Sequence, residues 1–288
     1  MRTQHIGKRG MLFTFDDPYV TNCYAIGLDA KVILCDTFCG PDAMSQVMDG
    51  LRAEGLDREV WVFNTHADYD HVWGNCAFKS STIIGHKSCR ERIESEEART
   101  ALDTYAAHRR GRVSLVPPNL TFTDRLALPE EDIEFFFTPG HTHDSSSCYD
   151  ALDRVIVVGD NIETPIPYVN EDNLDQYISS IESCLVLNSA CIISGHDSPQ
   201  YDRRLAQSNL EYLQAFRDWS LDIESLEERA RSIHLTNLIT LLSRRSTSSV
   251  CDRASEHCRQ ALAVLHRMPR SDAVREAIRE VSRFVRPH

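Results

Sequence analysis

Short apolar runs closed by turn residues alternate with amphipathic stretches through the first two thirds of the chain. Residues 11–15, 22–27 and 30–36 read as three strands, separated by Asp16-Asp17-Pro18 and Leu28-Asp29. Residues 41–54 carry a helical pattern ended by Gly55, and 59–64 is a buried strand. A short strand at 82–85 leads into a charged helical region from Lys87 to about Arg110, which Pro117-Pro118 closes off. A second set of strands follows at 120–122, 125–128, 132–138, 147–151 and 154–158. A helix over 173–187 and a last strand at 190–194 complete it. Strands followed by strand–helix alternation, twice over, predict an α/β protein of two similar halves.

After about residue 200 the strand pattern stops. Leu210, Leu213, Phe216 and Trp219 recur at helical spacing, and apolar-periodic segments follow near 223–243 and 253–266. Ser271-Asp272-Ala273 starts a last helix that runs toward Phe284. The expected division is a catalytic unit over 1–202 and a helical extension over 203–288. An apolar helix face must be buried, so the extension is a cap on the sandwich, a lid over a pocket, or a homodimer contact.

Composition changes this picture little. The 288-residue chain is 42% hydrophobic, ordinary for a globular protein. It has no run of about 18 apolar residues, so no membrane span is expected. The first ten residues are basic but lack an apolar signal core, so a cytoplasmic protein is expected. A formal net charge of −12 argues against a nucleic-acid partner, and a small-molecule substrate is expected. Ten scattered cysteines, none in a C-x-x-C pair, read as reduced thiols. Cys35 and Cys39 are the closest pair, and burial is the expected role of both.

The chemistry sits in Asn64-Thr65-His66-Ala67-Asp68-Tyr69-Asp70-His71, directly after the strand Glu59-Val60-Trp61-Val62-Phe63. Four candidate metal ligands this close together, at a strand's exit, point to a loop wrapped around metal. Three further apolar runs end on ligand-type residues: Phe135-Phe136-Phe137 before His141, Val155-Ile156-Val157-Val158 before Asp160, and Cys191-Ile192-Ile193-Ser194 before His196. Strand ends are where α/β proteins gather their site residues.

The order and spacing of these motifs, with the earlier Ile33-Leu34-Cys35-Asp36-Thr37, resemble the metallo-β-lactamase superfamily over roughly residues 10–200. That resemblance implies a four-layer αβ/βα sandwich with the site along one edge. It also implies two divalent metal ions per chain, zinc first, with iron or manganese as alternatives. His66, Asp68 and His141 would hold one ion, Asp70, His71 and His196 the other, and Asp160 would bridge them. Asp70 is the expected catalytic carboxylate. Hydroxide held between the metals would attack a thioester, lactone or phosphoester bond. The departure is Asp68, where the family pattern usually has His. A third carboxylate makes the site one unit less positive and shifts preference toward iron or manganese. An iron-dependent oxidoreductase and a non-catalytic binding protein of the same fold are the alternative readings.

Other candidates flank this set. His143, two residues beyond His141 in an expected strand-like segment, could face the same side, as a support or substrate contact. Tyr168 follows the Asp160 strand, in a region that borders the pocket in the resembled family. Asp36 is expected to support a metal ligand. Ser145, Ser146 and Ser147 read as turn and strand-start residues, and Tyr69 and Trp73 as packing or pocket wall. His86, His108, His234, His257 and His266 are expected to do no chemistry.

Overall fold

The computed structural model describes residues 1–245, 251–269 and 271–285. Two β-sheets face each other and helices cover their outer faces. The first sheet holds seven strands in the order β1-β2-β3-β4-β5-β6-β7: Arg2–Ile6, Gly10–Phe15, Thr21–Gly27, Lys31–Cys35, Glu59–Phe63, Ile83–His86 and Leu120–Phe122. The second runs β12-β11-β10-β9-β8, with β8 Arg125–Leu128, β9 Ile133–Phe137, β10 Ser146–Asp150, β11 Val155–Gly159 and β12 Cys191–Ser194. Antiparallel meanders (β1–β4 and β8–β11) begin each sheet, and strands joined by helical crossovers continue in parallel.

The alternation along the strands makes the layers. In β4, Ile33 and Cys35 point into the space between the sheets, where they meet Phe63, Phe135, Val157 and Ile193. Val32 and Leu34 point the other way and pack under helix α1, Pro41–Ala53, against Met44, Val47 and Leu51. The second sheet repeats the arrangement, with Ile156, Val158 and Ile192 under α5, Leu174–Val186. This is the αβ/βα sandwich that the motifs led us to expect.

The sequence reading missed β1 because Arg2-Thr3-Gln4-His5 has no apolar alternation and is exposed. The strand forms by backbone pairing along the sheet edge, Arg2 opposite Thr14 and Ile6 opposite Gly10. The charged helical region expected from Lys87 holds two short helices, α3 Lys87–Ile93 and α4 Glu96–Thr104, followed by a 3-10 turn at Ala106–His108. Ser95 separates them because its hydroxyl caps the Ala98 N–H. The metal-motif segment also has regular structure: α2 spans Tyr69–Val72 and a 3-10 helix spans Trp73–Phe78.

After β12 the described chain is helical: α6 Arg204–Arg217, α7 Glu228–Ser243, α8 Asp252–Leu265 and α9 Asp272–Ser282. Residues 246–250, 270 and 286–288 of the expected extension lie outside the described residues. Leu213, Phe216, Leu238, Leu241, Leu242 and Cys258 bury one apolar cluster together with Ile166, Val169, Tyr177, Ile178 and Ile181. The helices therefore pack onto α5 and onto the loop after β11. No described helix is long and apolar enough to cross a membrane, and all ten cysteines are free thiols.

Candidate metal centre

Four strand ends meet at one edge of the sandwich. β5 delivers His66, with Asp68 at the N-terminus of α2 and Asp70 and His71 in that helix. β9 delivers His141, β11 delivers Asp160, and β12 delivers His196. Two glycines permit the convergence. Gly159 adopts φ +55, and a Cβ there would lie 2.8 Å from Thr65 Oγ1. At Gly195 a Cβ would lie 2.1 Å from Asp160 Oδ1.

The resulting cluster is tight, and only Asp68 and His196 are partly exposed. Asp160 Oδ2 lies 3.6 Å from His66 Nε2, 3.8 Å from His141 Nε2 and 3.1 Å from His196 Nε2, while Oδ1 lies 3.4 Å from His71 Nε2. Asp68 Oδ2 lies 3.5 Å from His66 Nε2 and 3.4 Å from His141 Nε2. Asp70 Oδ2 lies 3.4 Å from His71 Nε2 and 3.5 Å from His196 Nε2. Metal–ligand bonds of about 2.0–2.1 Å in a tetrahedron place donors roughly 3.3–3.5 Å apart, so these separations suit a small divalent cation. Two donor sets, His66–Asp68–His141 and Asp70–His71–His196, could each hold one.

Hydrogen bonds behind the rings aim them. Thr65 Oγ1 has one proton and gives it to Asp36 Oδ2 at 2.7 Å, so His66 Nδ1–H must donate to Thr65 Oγ1 at 2.9 Å. His71 Nδ1–H donates to Asp36 Oδ2 at 2.8 Å, and His196 Nδ1–H to the Val20 carbonyl at 2.6 Å. All three rings thus turn Nε2 toward the cluster. The Nε2 atoms of His66 and His71 and Oδ1 of Asp160 are buried with no hydrogen-bond partner. Buried polar atoms without partners are rare, and donors left bare around one point fit a cation. Burial alone would discourage protonation of His71, His141 and His196. The surrounding carboxylates outweigh it, raising His71 well above the usual range, His141 to about 9 and His196 to about 10. Burial also works against ionised Asp68, Asp70 and Asp160, yet the imidazoles hold all three below the usual carboxylate range.

Asp68 does not enter alone. Arg92, on α3, donates to Asp68 Oδ1 at 2.6 Å and to the fully buried Asp144 at 2.7 Å. A guanidinium at contact distance offsets the extra negative charge, and so weakens the expected shift toward iron or manganese. Sequence reading missed Arg92, although a carboxylate among metal ligands calls for a nearby cation. It also missed Glu163, three residues after Asp160, which joins Asp160 and His196 in a further potential donor set. Burial, then the Asp160 charge, pushes the Glu163 carboxyl up to about 7.

The flanking candidates divide. Asp36 supports His71 and Thr65, as described. His143 does not lie in a strand: residues 139–145 form a turn in which the Gly140 and Ser145 N–H groups both donate to the Thr142 carbonyl. Its ring is half exposed and pairs with Glu171 at 2.6 Å. Tyr168 lends its backbone N–H to Glu163, and its ring is exposed. Ser145 holds Thr142, and Ser147 bonds Thr138. His108, expected to be idle, accepts or donates at Tyr69 Oη at 2.8 Å, and Tyr69 also bonds Tyr19 at 2.5 Å and stacks on Tyr105. A cavity of about 400 Å3 opens beside the cluster between this aromatic wall and Asp68, Arg92, Asn170 and Arg244.

Residues 16–196 match the family model of the metallo-beta-lactamase superfamily. The chain belongs to the metallo-beta-lactamase superfamily. Solved metallo-beta-lactamases share its fold at low identity. DIM-1 metallo-beta-lactamase is 15% identical with a TM-score of 0.60, over 75% of this chain and 97% of that one. The enzyme from Pontibacter korlensis is 15% identical with a TM-score of 0.57, over 74% and 98%. That from Hirschia baltica is 14% identical with a TM-score of 0.56, over 74% and 97%. No curated protein matches the chain in sequence. The superfamily match ends at the His196 motif, before α6. Buried His/Asp clusters in this fold suit divalent metal, and the superfamily is mostly hydrolytic.

Proposed function

We propose that this protein is a dinuclear metal-dependent hydrolase of a small molecule with an ester-like bond: a thioester, lactone or phosphoester. The observation that carries the reading is the convergence of four His Nε2 atoms and three Asp carboxylates at 3.1–3.8 Å spacings in a buried cluster. His66, Asp68 and His141 would hold one cation and Asp70, His71 and His196 the other. Asp160 would lie between them, since its two oxygens face different rings. Bound divalent ions would supply an acidified water and polarise the attacked oxygen.

The chain's own groups do the rest. Asp70, with Oδ2 at 3.4 Å from His71 Nε2 and 3.5 Å from His196 Nε2, would orient the attacking water by accepting its hydrogen bond. Asn170 Nδ2 lies 3.1 Å from His141 Nε2, at the junction of cluster and cavity, where its N–H groups can bind a substrate oxygen. Tyr69 and Tyr105 line the cavity with aromatic rings, and its volume of about 400 Å3 suits a small molecule.

The test uses protein purified without added metal, analysed for elements, then assayed on an ester, thioester, lactone and phosphoester panel with and without chelator. Close to two metal equivalents and chelator-sensitive hydrolysis of one class are expected. Metal-free protein would overturn the metal assignment. Iron-loaded protein that consumes oxygen and hydrolyses nothing would replace the hydrolase with an oxidoreductase.

A further inference from the structure

An aspartate in a metal cluster presents two oxygens, and both can bind or drift between cations. Asp68 has lost that freedom. Its Oδ1 is taken by Arg92 Nη2 at 2.6 Å, leaving Oδ2 facing His66 and His141. Arg92 is itself fixed. Its other terminal nitrogen, Nη1, donates to Asp144 Oδ1 at 2.7 Å, and Asp144 Oδ2 accepts the Ala67 N–H at 2.8 Å. The path closes on itself: Ala67 is bonded to Asp144, Asp144 to Arg92, Arg92 to Asp68, and Asp68 follows Ala67 in the chain. Both the backbone and the side chain of the 67–68 segment are held by one planar fork. Arg92 is 17% exposed, Asp68 26% and Asp144 not at all, so the Asp144 pair, which anchors the fork, is shielded from solvent. Charge-assisted bonds of this geometry are short and directional.

We infer that Arg92 is a positioning residue for the first cation site, restricting Asp68 to a single donor oxygen and offsetting its charge, so that His66, Asp68 and His141 form a complete metal site. The inference rests on the assignment of Asp68 as a ligand. Arg92 touches neither metal nor the reacting atoms in this role and acts through Asp68. A lysine cannot replace it fully, because one ammonium cannot span Asp68 and Asp144 with two parallel donors.

The experiment measures metal retention, not turnover. Wild type, Arg92→Met, Arg92→Lys, Asp68→His and the double variant Asp68→His/Arg92→Met are loaded with zinc and dialysed against a weak chelator. Each is then analysed for bound metal, with thermal unfolding as a control for fold. Wild type should keep close to two equivalents. Arg92→Met should keep close to one, with at least tenfold weaker binding of the other, and Arg92→Lys should fall between. In the Asp68→His background, removing Arg92 should cause no further loss, because an imidazole needs no guanidinium. A folded Arg92→Met protein that retains two equivalents at wild-type affinity overturns the inference and leaves the metal centre standing. Equal loss on adding Arg92→Met to either background also overturns it, since the arginine would then act independently of Asp68. Should Arg92→Met not fold, Arg92→Lys decides: a folded lysine variant that keeps two equivalents at wild-type affinity overturns the inference. Wild type without metal sinks the proposed function itself.

Discussion

The side-chain oxygen of Asn237, on α7, accepts the Val169 N–H at 2.9 Å in the loop that follows β11. Its Nδ2 donates to the Pro167 carbonyl at 2.8 Å and to Tyr212 Oη at 3.0 Å. Asn170, the next residue in that loop, reaches His141. The helical extension thus holds the backbone that carries a residue of the metal-centre rim. Asn237→Ala should strand buried loop groups at roughly 1–3 kcal/mol each. We expect a lower urea midpoint and weaker substrate binding at unchanged metal content. Unchanged substrate affinity in a destabilised protein would confine the contact to packing.

Most of the fold and the cluster was legible because strand alternation and strand-end ligands are local signals. Val32 to Cys35 shows in its own residues which face each side chain takes, and His66 to His71 carries its ligands in one loop. Arg92, Asn170 and Asn237 left no such trace. Each matters through a partner far along the chain, Asp68, His141 or Val169, and an arginine in a charged helix looks like surface. β1 was illegible for the opposite reason: its pairing is by backbone and its side chains face solvent.

Asp160→Ala should reduce metal content more than any single His substitution. Its oxygens lie within 3.8 Å of all four imidazole Nε2 atoms, whereas each imidazole offers the cluster a single Nε2. Loss of this carboxylate would leave the two proposed cations unscreened from each other. Elemental analysis should find less than one equivalent after dialysis, against about one for His141→Ala. Equal retention in the two variants would show that Asp160 serves one site only.

Truncation near residue 220 removes α7, α8 and α9. Leu238, Leu241 and Leu242 then no longer cover Ile178, Ile181 and Phe216. Burying a side chain of this size contributes about 1.5–3 kcal/mol, and several would be exposed together. The shortened chain should be insoluble or aggregated on a sizing column. A soluble, monodisperse, metal-loaded product would mean that the sandwich does not depend on the later helices.

A buried histidine pair makes the extension sensitive to acid. Asn237 donates to Tyr212 Oη, so the tyrosine must donate to His234 Nδ1 at 3.0 Å. That leaves His234 Nε2–H to donate to His257 Nε2 at 2.9 Å, with both rings neutral. Burial, aided at His234 by the neighbouring His257, lowers the two to about 3 and about 4 from an unfolded value of 6.5. Above pH 7 both states carry neutral rings and the full stability is present. As pH falls below 6.5 the unfolded chain takes up protons that the folded chain refuses. Stability should then drop by about 1.4 kcal/mol per pH unit for each His until the folded values are reached. The urea midpoint, followed by tryptophan fluorescence at saturating metal, should fall steeply between pH 6.5 and 5. Trp219 packs 5.6 Å from the His257 ring and reports the event directly. His257→Leu should take about 1.4 kcal/mol per pH unit out of the slope, since one refused proton is gone. An identical pH dependence in wild type and His257→Leu would place the acid sensitivity elsewhere, in the carboxylate and imidazole cluster of the metal centre.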